Sequence, residues 1–141
     1  MANTLHMKKN LLSLTILASV AAWPSPALAE APIEGRWTNP KGNVTVRIAT
    51  CGEGYCATVI DATAKAKATA KKGGTPNLIG TQVMSNFRAS GDGTYRGRAF
   101  DPKRNLRAPA TIRMIGKSTL VVKGCLIGGI ICKEQRWKKV G

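Results

Sequence analysis

Apolar and polar positions alternate one by one over most of the chain. Val44, Val46 and Ile48 share one face while Asn43, Thr45 and Arg47 take the other. A period of two is the mark of a strand with one buried face. The alternation returns at Tyr95, Gly97 and Ala99 against Arg96 and Arg98, and again at Leu106, Ala108, Ala110, Ile112 and Met114 against Arg107 and Arg113. Residues 57–61, 78–87, 120–123 and 132–140 read as further strands, separated by glycine- or proline-bearing turns near residues 39–42, 52–54, 90–93, 101–102 and 116–118. Helical periodicity is nearly absent. About eight short strands at such spacing predict an all-β, up-and-down barrel, because closure removes the unpaired edges that an open sheet exposes. Pro109 falls on the arginine face and lacks a backbone donor, which predicts an edge or a bulge there.

One segment breaks the pattern. Residues 62–77, ATAKAKATAKKGGTPN, are mostly alanine, lysine and threonine. They allow a turn or two of helix before Gly73-Gly74 but no apolar face wide enough for firm docking, so a mobile cationic excursion is expected.

The N-terminus has a different organisation: Lys8 and Lys9, a mostly apolar run over residues 11–22, and the small-residue site Ala27-Leu28-Ala29. This is the layout of a secretory signal peptide, with cleavage expected after Ala29. The run is well short of the ~20 residues that span a bilayer. The expected division is therefore a signal peptide over residues 1–29 and a single domain over residues 30–141, periplasmic or secreted, with no transmembrane span after cleavage. Nothing in the pattern sets the oligomeric state.

Charge adds a candidate partner class. The chain has 22 Lys and Arg against 7 Asp and Glu, a net charge of +15, which falls to +13 without Lys8 and Lys9. Such a field favours polyanions. Lys65, Lys67, Lys71, Lys72, Arg96, Arg98, Arg104 and Arg107, together with Lys103, are candidate contacts to an anionic envelope component. The plainer alternative is that the charge reflects composition alone.

Cys51, Cys56, Cys125 and Cys132 form an even set in the exported part, where disulfides persist. Three pairings are possible. The local one, Cys51 with Cys56 and Cys125 with Cys132, is favoured because each pair flanks a glycine-bearing turn; loops this short stabilise by about 2 to 2.5 kcal/mol each. The stretch KGCLIGGIICKEQRW then reads as a stapled turn that fixes the last strand; Leu126, Ile127, Ile130 and Ile131 are expected either to fold inward as a plug, the favoured reading, or to stand at the barrel rim as an apolar contact.

Much chemistry is disfavoured by what is missing. The single histidine, His6, lies in the signal peptide, which removes the usual general base and zinc nitrogen ligand from the mature chain. The cysteine spacings fit neither a zinc knuckle nor a Cys-x-x-Cys redox site. Carboxylates are few, and Asp92 and Asp101 sit in turn contexts. Gly91-x-Gly93 precedes no helix that would receive a phosphate, and the aromatic residues form no stacking platform for nucleic acid. The expectation is a protein that is not an enzyme, with no cofactor, no metal and no specific nucleic-acid recognition.

Gly35-Arg36-Trp37 on the first strand resembles the signature of lipocalins and related calycins. In those proteins the tryptophan closes one barrel end and a basic residue near the C-terminus covers it. Arg136 and Lys138, which flank Trp137, are the candidate covers. Several segments in order, PIEGRWTNPKGNVTVRIATCGEGYCATVI, LIGTQVMSNFRASGDGTYRGRAFDP and LVVKGCLIGGIICKEQRWKKV, resemble the exported bacterial family of unknown function DUF2147 over nearly the whole mature chain. The resemblance implies a lipocalin-like barrel and export, and it carries over no catalytic residues. Two segments depart from the family pattern: residues 62–77, where relatives are more acidic, and residues 106–110, which lack a glycine-lysine turn. The resulting expectation is a binder of a small apolar or amphipathic ligand or of an envelope component, lined by Val44, Val46, Ile48, Val59, Ala99, Ile112 and Leu120. The competing one is a cationic adhesion module that uses its outer basic face.

Overall fold

The structure, a computed structural model, describes residues 21–24, 32–126 and 131–141. The expected signal peptide and the inward plug at residues 126–131 both fall on positions whose backbone or side chains lie outside the described residues. Eight antiparallel strands, β1 (Gly35–Thr38), β2 (Val44–Cys51), β3 (Gly54–Ala62), β4 (Gln82–Ala89), β5 (Thr94–Asp101), β6 (Leu106–Ile115), β7 (Thr119–Leu126) and β8 (Ile131–Lys139), follow one another round a closed barrel. The seam between β8 and β1 is short, with only Trp37 opposite Lys139 and Thr38 opposite Lys138. Both expected disulfides, Cys51–Cys56 and Cys125–Cys132, are formed.

The up-and-down order sorts the connections between two ends. Residues 52–53, 90–93 and 116–118, with the entry segment 32–34, lie at one end. Residues 39–43, 63–81 and 102–105 lie at the other, as do the end of β7 at Leu126 and the start of β8 at Ile131. The first end is closed. There Trp37 is fully buried and its indole Nε1 donates to the Ile33 carbonyl at 2.9 Å. Phe87, Ile112, Leu120, Val46 and Ile48 fill the barrel beside it. Gly97 faces inward on β5 because the space its side chain would occupy is already taken: a Cβ there would lie 2.8 Å from the Phe87 ring and 2.7 Å from the Ser85 carbonyl.

Four expectations are corrected. The strand expected over residues 78–87 begins only at Gln82. Residues 78–81 form a turn, closed by a Thr81 N–H to Leu78 carbonyl bond, that drives Leu78 into the interior at 5% exposure. Residues 62–77 are not a loose excursion. They contain helix α1 (Ala64–Lys72), whose N-cap Thr63 accepts from the Ala66 N–H at 3.2 Å. The helix docks although its apolar face is narrow, because Ala66 and Ala70 are small and Gly73 has no side chain to hold the backbones apart. Ala70 is 1% exposed, and a Cβ on Gly73 would overlap the Lys103 backbone. Thr75, itself buried, donates from Oγ1 to the Pro102 carbonyl at 3.1 Å. We expect Gly73→Ala to free α1, at a cost of about 1–3 kcal/mol for overpacking, seen as faster amide exchange over residues 64–75 with the strands still protected.

The third correction concerns the cover of Trp37. Trp137 points inward opposite Leu120, so its neighbours Arg136 and Lys138 point outward by strand alternation. Arg136 therefore does not close the barrel. Lys139, directly opposite Trp37 in the register, places its ammonium 5.5 Å from the Trp37 ring centre. The expectation for Pro109 is corrected as well: β6 is paired on both sides in the closed barrel and neither of its ladders shifts register, so the proline is at no sheet edge and beside no bulge; it pairs with Arg98 on β5 and stands just beyond the β6–β7 register, which runs from Ala110 to Ile115.

Candidate ligand-binding cavity

The barrel interior is packed at one end and hollow at the other, and side-chain size is the reason. Toward the closed end, Ile48, Tyr55, Ala57, Met84, Phe87 and Ile112 leave no room for a water molecule. Toward the open end the inward positions become small: Val44 on β2, Val59 on β3, Val83 on β4, Ala99 on β5, Ala108 on β6, and Val122 and Gly124 on β7. Ala99 lies directly opposite Ala108, so the β5–β6 pair contributes little volume where it faces the axis. The space these small residues leave is a cavity of about 920 Å³, open at the mouth. Trp137 borders it, with Nε1 donating to Gln135 Oε1 at 3.2 Å, and Leu78, Ala66 and Ala70 close it from the helix side.

The lining changes character toward solvent. Below the mouth it is aliphatic; at the mouth stand Lys41 from the β1–β2 turn, Lys65 from α1, Lys103 and Arg104 from the β5–β6 turn, and Lys133 on β8. Two carboxylates share this rim, Asp101 and Glu134. Asp101 is occupied by its own turn: Oδ1 accepts from the Lys103 N–H at 3.0 Å and Oδ2 pairs with Arg104 Nη1 at 2.7 Å. The rim is a basic collar round an apolar hole.

The sequence-nominated lining residues divide between the two halves. Val44, Val59 and Ala99 border the cavity; Val46, Ile48, Ile112 and Leu120 face inward but belong to the packed half. Sequence reasoning passed over Val83, Ala108, Val122 and Gly124; alternation gives the inward direction of such side chains, and only the register across strands shows where small ones adjoin. The basic candidates divide as well. Lys65, Lys67, Lys71, Lys72 and Arg104 lie at the open end, whereas Arg96, Arg98 and Arg107 lie on the outer wall of β5 and β6, with the Arg107 guanidinium 4.5 Å from the Phe100 ring centre.

Among the described residues, two ionisable groups are shifted, and both belong to the closed half. The Ser90 hydroxyl and the Thr94 N–H hold Asp92 below the usual carboxylate range and fasten the β4–β5 turn. Burial pushes the Tyr95 phenol up, helped by Tyr55, whose ring meets it edge-on at 5.6 Å, and by Glu34. A raised folded pKa favours the neutral phenol in the folded state. Its stabilising share is therefore complete below the unfolded value of 10.0 and is lost as pH rises through the folded one. We expect chemical stability to fall in that alkaline window and Tyr95→Phe to flatten the fall.

Among proteins already described, a family model for an uncharacterised protein conserved in bacteria, DUF2147, matches residues 35–139, all eight strands included. The chain belongs to the DUF2147 family. Comparison with curated proteins gives no match. Among solved structures, this DUF2147 protein is similar to HP1028 of Helicobacter pylori, which is described as a member of the lipocalin family. The TM-score is 0.59 at 15% identity, over 77% of this chain and 82% of that one. The likeness extends to the fold: a DUF2147 chain here forms a lipocalin-like barrel. Among the described residues no helix is long and apolar enough to cross a membrane, and every cysteine is in a disulfide.

Proposed function

We propose that this DUF2147 protein is a non-enzymatic carrier or sensor of a small amphipathic molecule, held with its aliphatic part in the barrel and its acidic head at the collar. The observation that carries the reading is the graded cavity: about 920 Å³ with small aliphatic walls, and Lys41, Lys65, Lys103, Arg104 and Lys133 at the mouth. The size lies within the ~300–1,000 Å³ common for ligand sites. The disulfides suit an oxidising compartment outside the cytoplasm, in keeping with the expected export. The engagement of Asp101 with its own turn supports a binding role over acid–base chemistry.

Titration with a fluorescent long-chain fatty acid tests this. Saturable uptake of one molecule per barrel is expected, persisting at high salt because the aliphatic contacts are unscreened. The matching alcohol is expected to bind several-fold more weakly at low salt. Absence of saturable uptake, or full release by salt, would count against it. Native mass spectrometry of protein purified from its own envelope should show a retained mass. A second reading, adhesion to a polyanion through the outer wall, draws on Arg36 standing opposite Arg47. Like charges so placed repel until an anion lies over them; adhesion of this kind would be released steeply by salt.

A further inference from the structure

We infer that the open end of the barrel is a docking face for an anionic lipid bilayer, so that the protein meets a membrane mouth first. This goes beyond ligand uptake, because it concerns the surface round the cavity and a second kind of partner. The connections at the open end, residues 39–43, 63–81 and 102–105, carry seven basic residues and no acidic one: Lys41, then Lys65, Lys67, Lys71 and Lys72 on α1, then Lys103 and Arg104. The segments at the closed end show the reverse balance, with Glu34, Glu53 and Asp92 against Lys117 alone. With strand ends counted, Asp101 and Glu134 join the open rim and Lys138 and Lys139 the closed end, so the polarity is carried by the connecting segments, whose basic cluster would turn the mouth toward a negative surface.

The helix adds an argument of its own. Lys67 and Lys71 lie one turn apart on α1, where like charges repel, and the first turn holds no acidic residue to offset them. A docked helix with an unrelieved cationic face is suited to an external anion. What distinguishes a bilayer from a soluble polyanion is apolar surface among these charges. Two of the large hydrophobic side chains that stand exposed, Ile79 and Leu106, each at 44%, both belong to the open end. Ile79 sits in the segment after α1 and Leu106 opens β6 next to Arg104, bordering the cavity mouth. Basic residues that reach headgroups, with aliphatic residues between them, form the composition of an interfacial binding surface.

Co-sedimentation with vesicles of phosphatidylcholine alone, and of equimolar phosphatidylcholine and phosphatidylglycerol, tests the inference on the full chain. The native protein is expected on the anionic vesicles and not on the neutral ones. The pair Lys67→Glu and Lys71→Glu, on the solvent side of α1, is expected to lower partition at least tenfold, with Lys67→Gln and Lys71→Gln giving a smaller loss in the same direction. Arg96→Glu with Arg98→Glu on the outer wall should change it less than threefold. Ile79→Ser with Leu106→Ser should remove the part of binding that survives high salt. The inference is overturned if the outer-wall pair matches the helix pair, if neutral vesicles bind equally, or if an oligonucleotide displaces all bound protein while the Ile79 and Leu106 changes do nothing. Uptake of the fluorescent fatty acid in vesicle-free buffer, compared between native protein and the helix pair, separates the two readings: vesicle binding lost with uptake retained concerns docking alone, and uptake absent with vesicle binding retained concerns the cavity alone.

Discussion

Trp37→Ala is expected to be the most damaging single truncation in the barrel, costing about 3–5 kcal/mol. The indole is fully buried at the closed end, donates to the Ile33 carbonyl, and lies under the Lys139 ammonium across the short β1–β8 seam. Three consequences follow together from its removal. A cavity opens in the packed half, the Ile33 carbonyl loses its donor, and a seam of two register pairs loses the side chain that holds β1 inside. A small domain has only about 5–15 kcal/mol in total, so the variant should be partly unfolded at 37 °C. Urea unfolding followed by far-ultraviolet dichroism checks this. A loss below about 1 kcal/mol would mean that the closed end is held by something other than the tryptophan. Lys139→Ala, which removes the cation–π contact alone, is expected to cost only ~0.5–1 kcal/mol.

Ala99→Trp should have the largest effect on binding with the least effect on folding. Ala99 faces the cavity between Met84 and Ala108, so an indole placed there has open space to enter and occupies what a ligand would use. Fatty-acid affinity is expected to fall at least thirtyfold, about 2 kcal/mol, with the unfolding midpoint unchanged or raised by the added apolar burial. The same enlargement at Ile112 should behave in the opposite way. Ile112 is 1% exposed and packs where no water fits, so a larger ring there strains the core instead of blocking a site. The contrast separates a hollow half from a filled one: if Ala99→Trp unfolds the protein and Ile112→Trp only weakens binding, the cavity has been placed in the wrong half.

The barrel itself was legible because period-two alternation is a strong signal wherever one face is buried, as along Val44, Val46 and Ile48 or Ala108, Ala110 and Ile112. The paired cysteines were equally plain, each set flanking a turn. Three features were not legible, each for a physical reason. Helix α1 docks through Ala66, Ala70 and the bare backbone of Gly73, and an interface of small residues leaves almost no trace in a hydrophobic pattern. The cover of Trp37 is decided by parity on β8, which depends on Trp137 facing inward opposite Leu120, and proximity to Trp137 in the chain pointed to the wrong basic residues. The cavity arises from a deficit of volume at Ala99, Ala108 and Gly124. Alternation gives the direction of a side chain; only the register across strands shows that several small ones meet at the same level.

The split of basic residues between mouth and wall has the same origin. Lys65, Lys67, Lys71, Lys72, Lys103 and Arg104 on the one hand and Arg96, Arg98 and Arg107 on the other look like one reservoir of charge in the sequence, yet the topology sends the first group to the open end and the second to the side of the barrel. Only the first adjoins an apolar opening. The described ion pairs, Arg88 with Glu53 and Arg104 with Asp101, are exposed and worth little to stability. The excess charge is thus better understood through partners than through the fold.

An aliphatic ligand is expected to enter beside Trp137 and to stay away from Trp37. Trp137 borders the cavity and Trp37 is sealed in the packed half, so quenching by a bromine-labelled fatty acid reads its position directly. With Trp23 replaced by phenylalanine throughout, one variant keeps Trp137 through Trp37→Phe and the other keeps Trp37 through Trp137→Phe. Saturable quenching of Trp137 fluorescence at one ligand per barrel is expected, with little quenching of Trp37. Equal quenching of both, or none of Trp137 at saturating ligand, would contradict it.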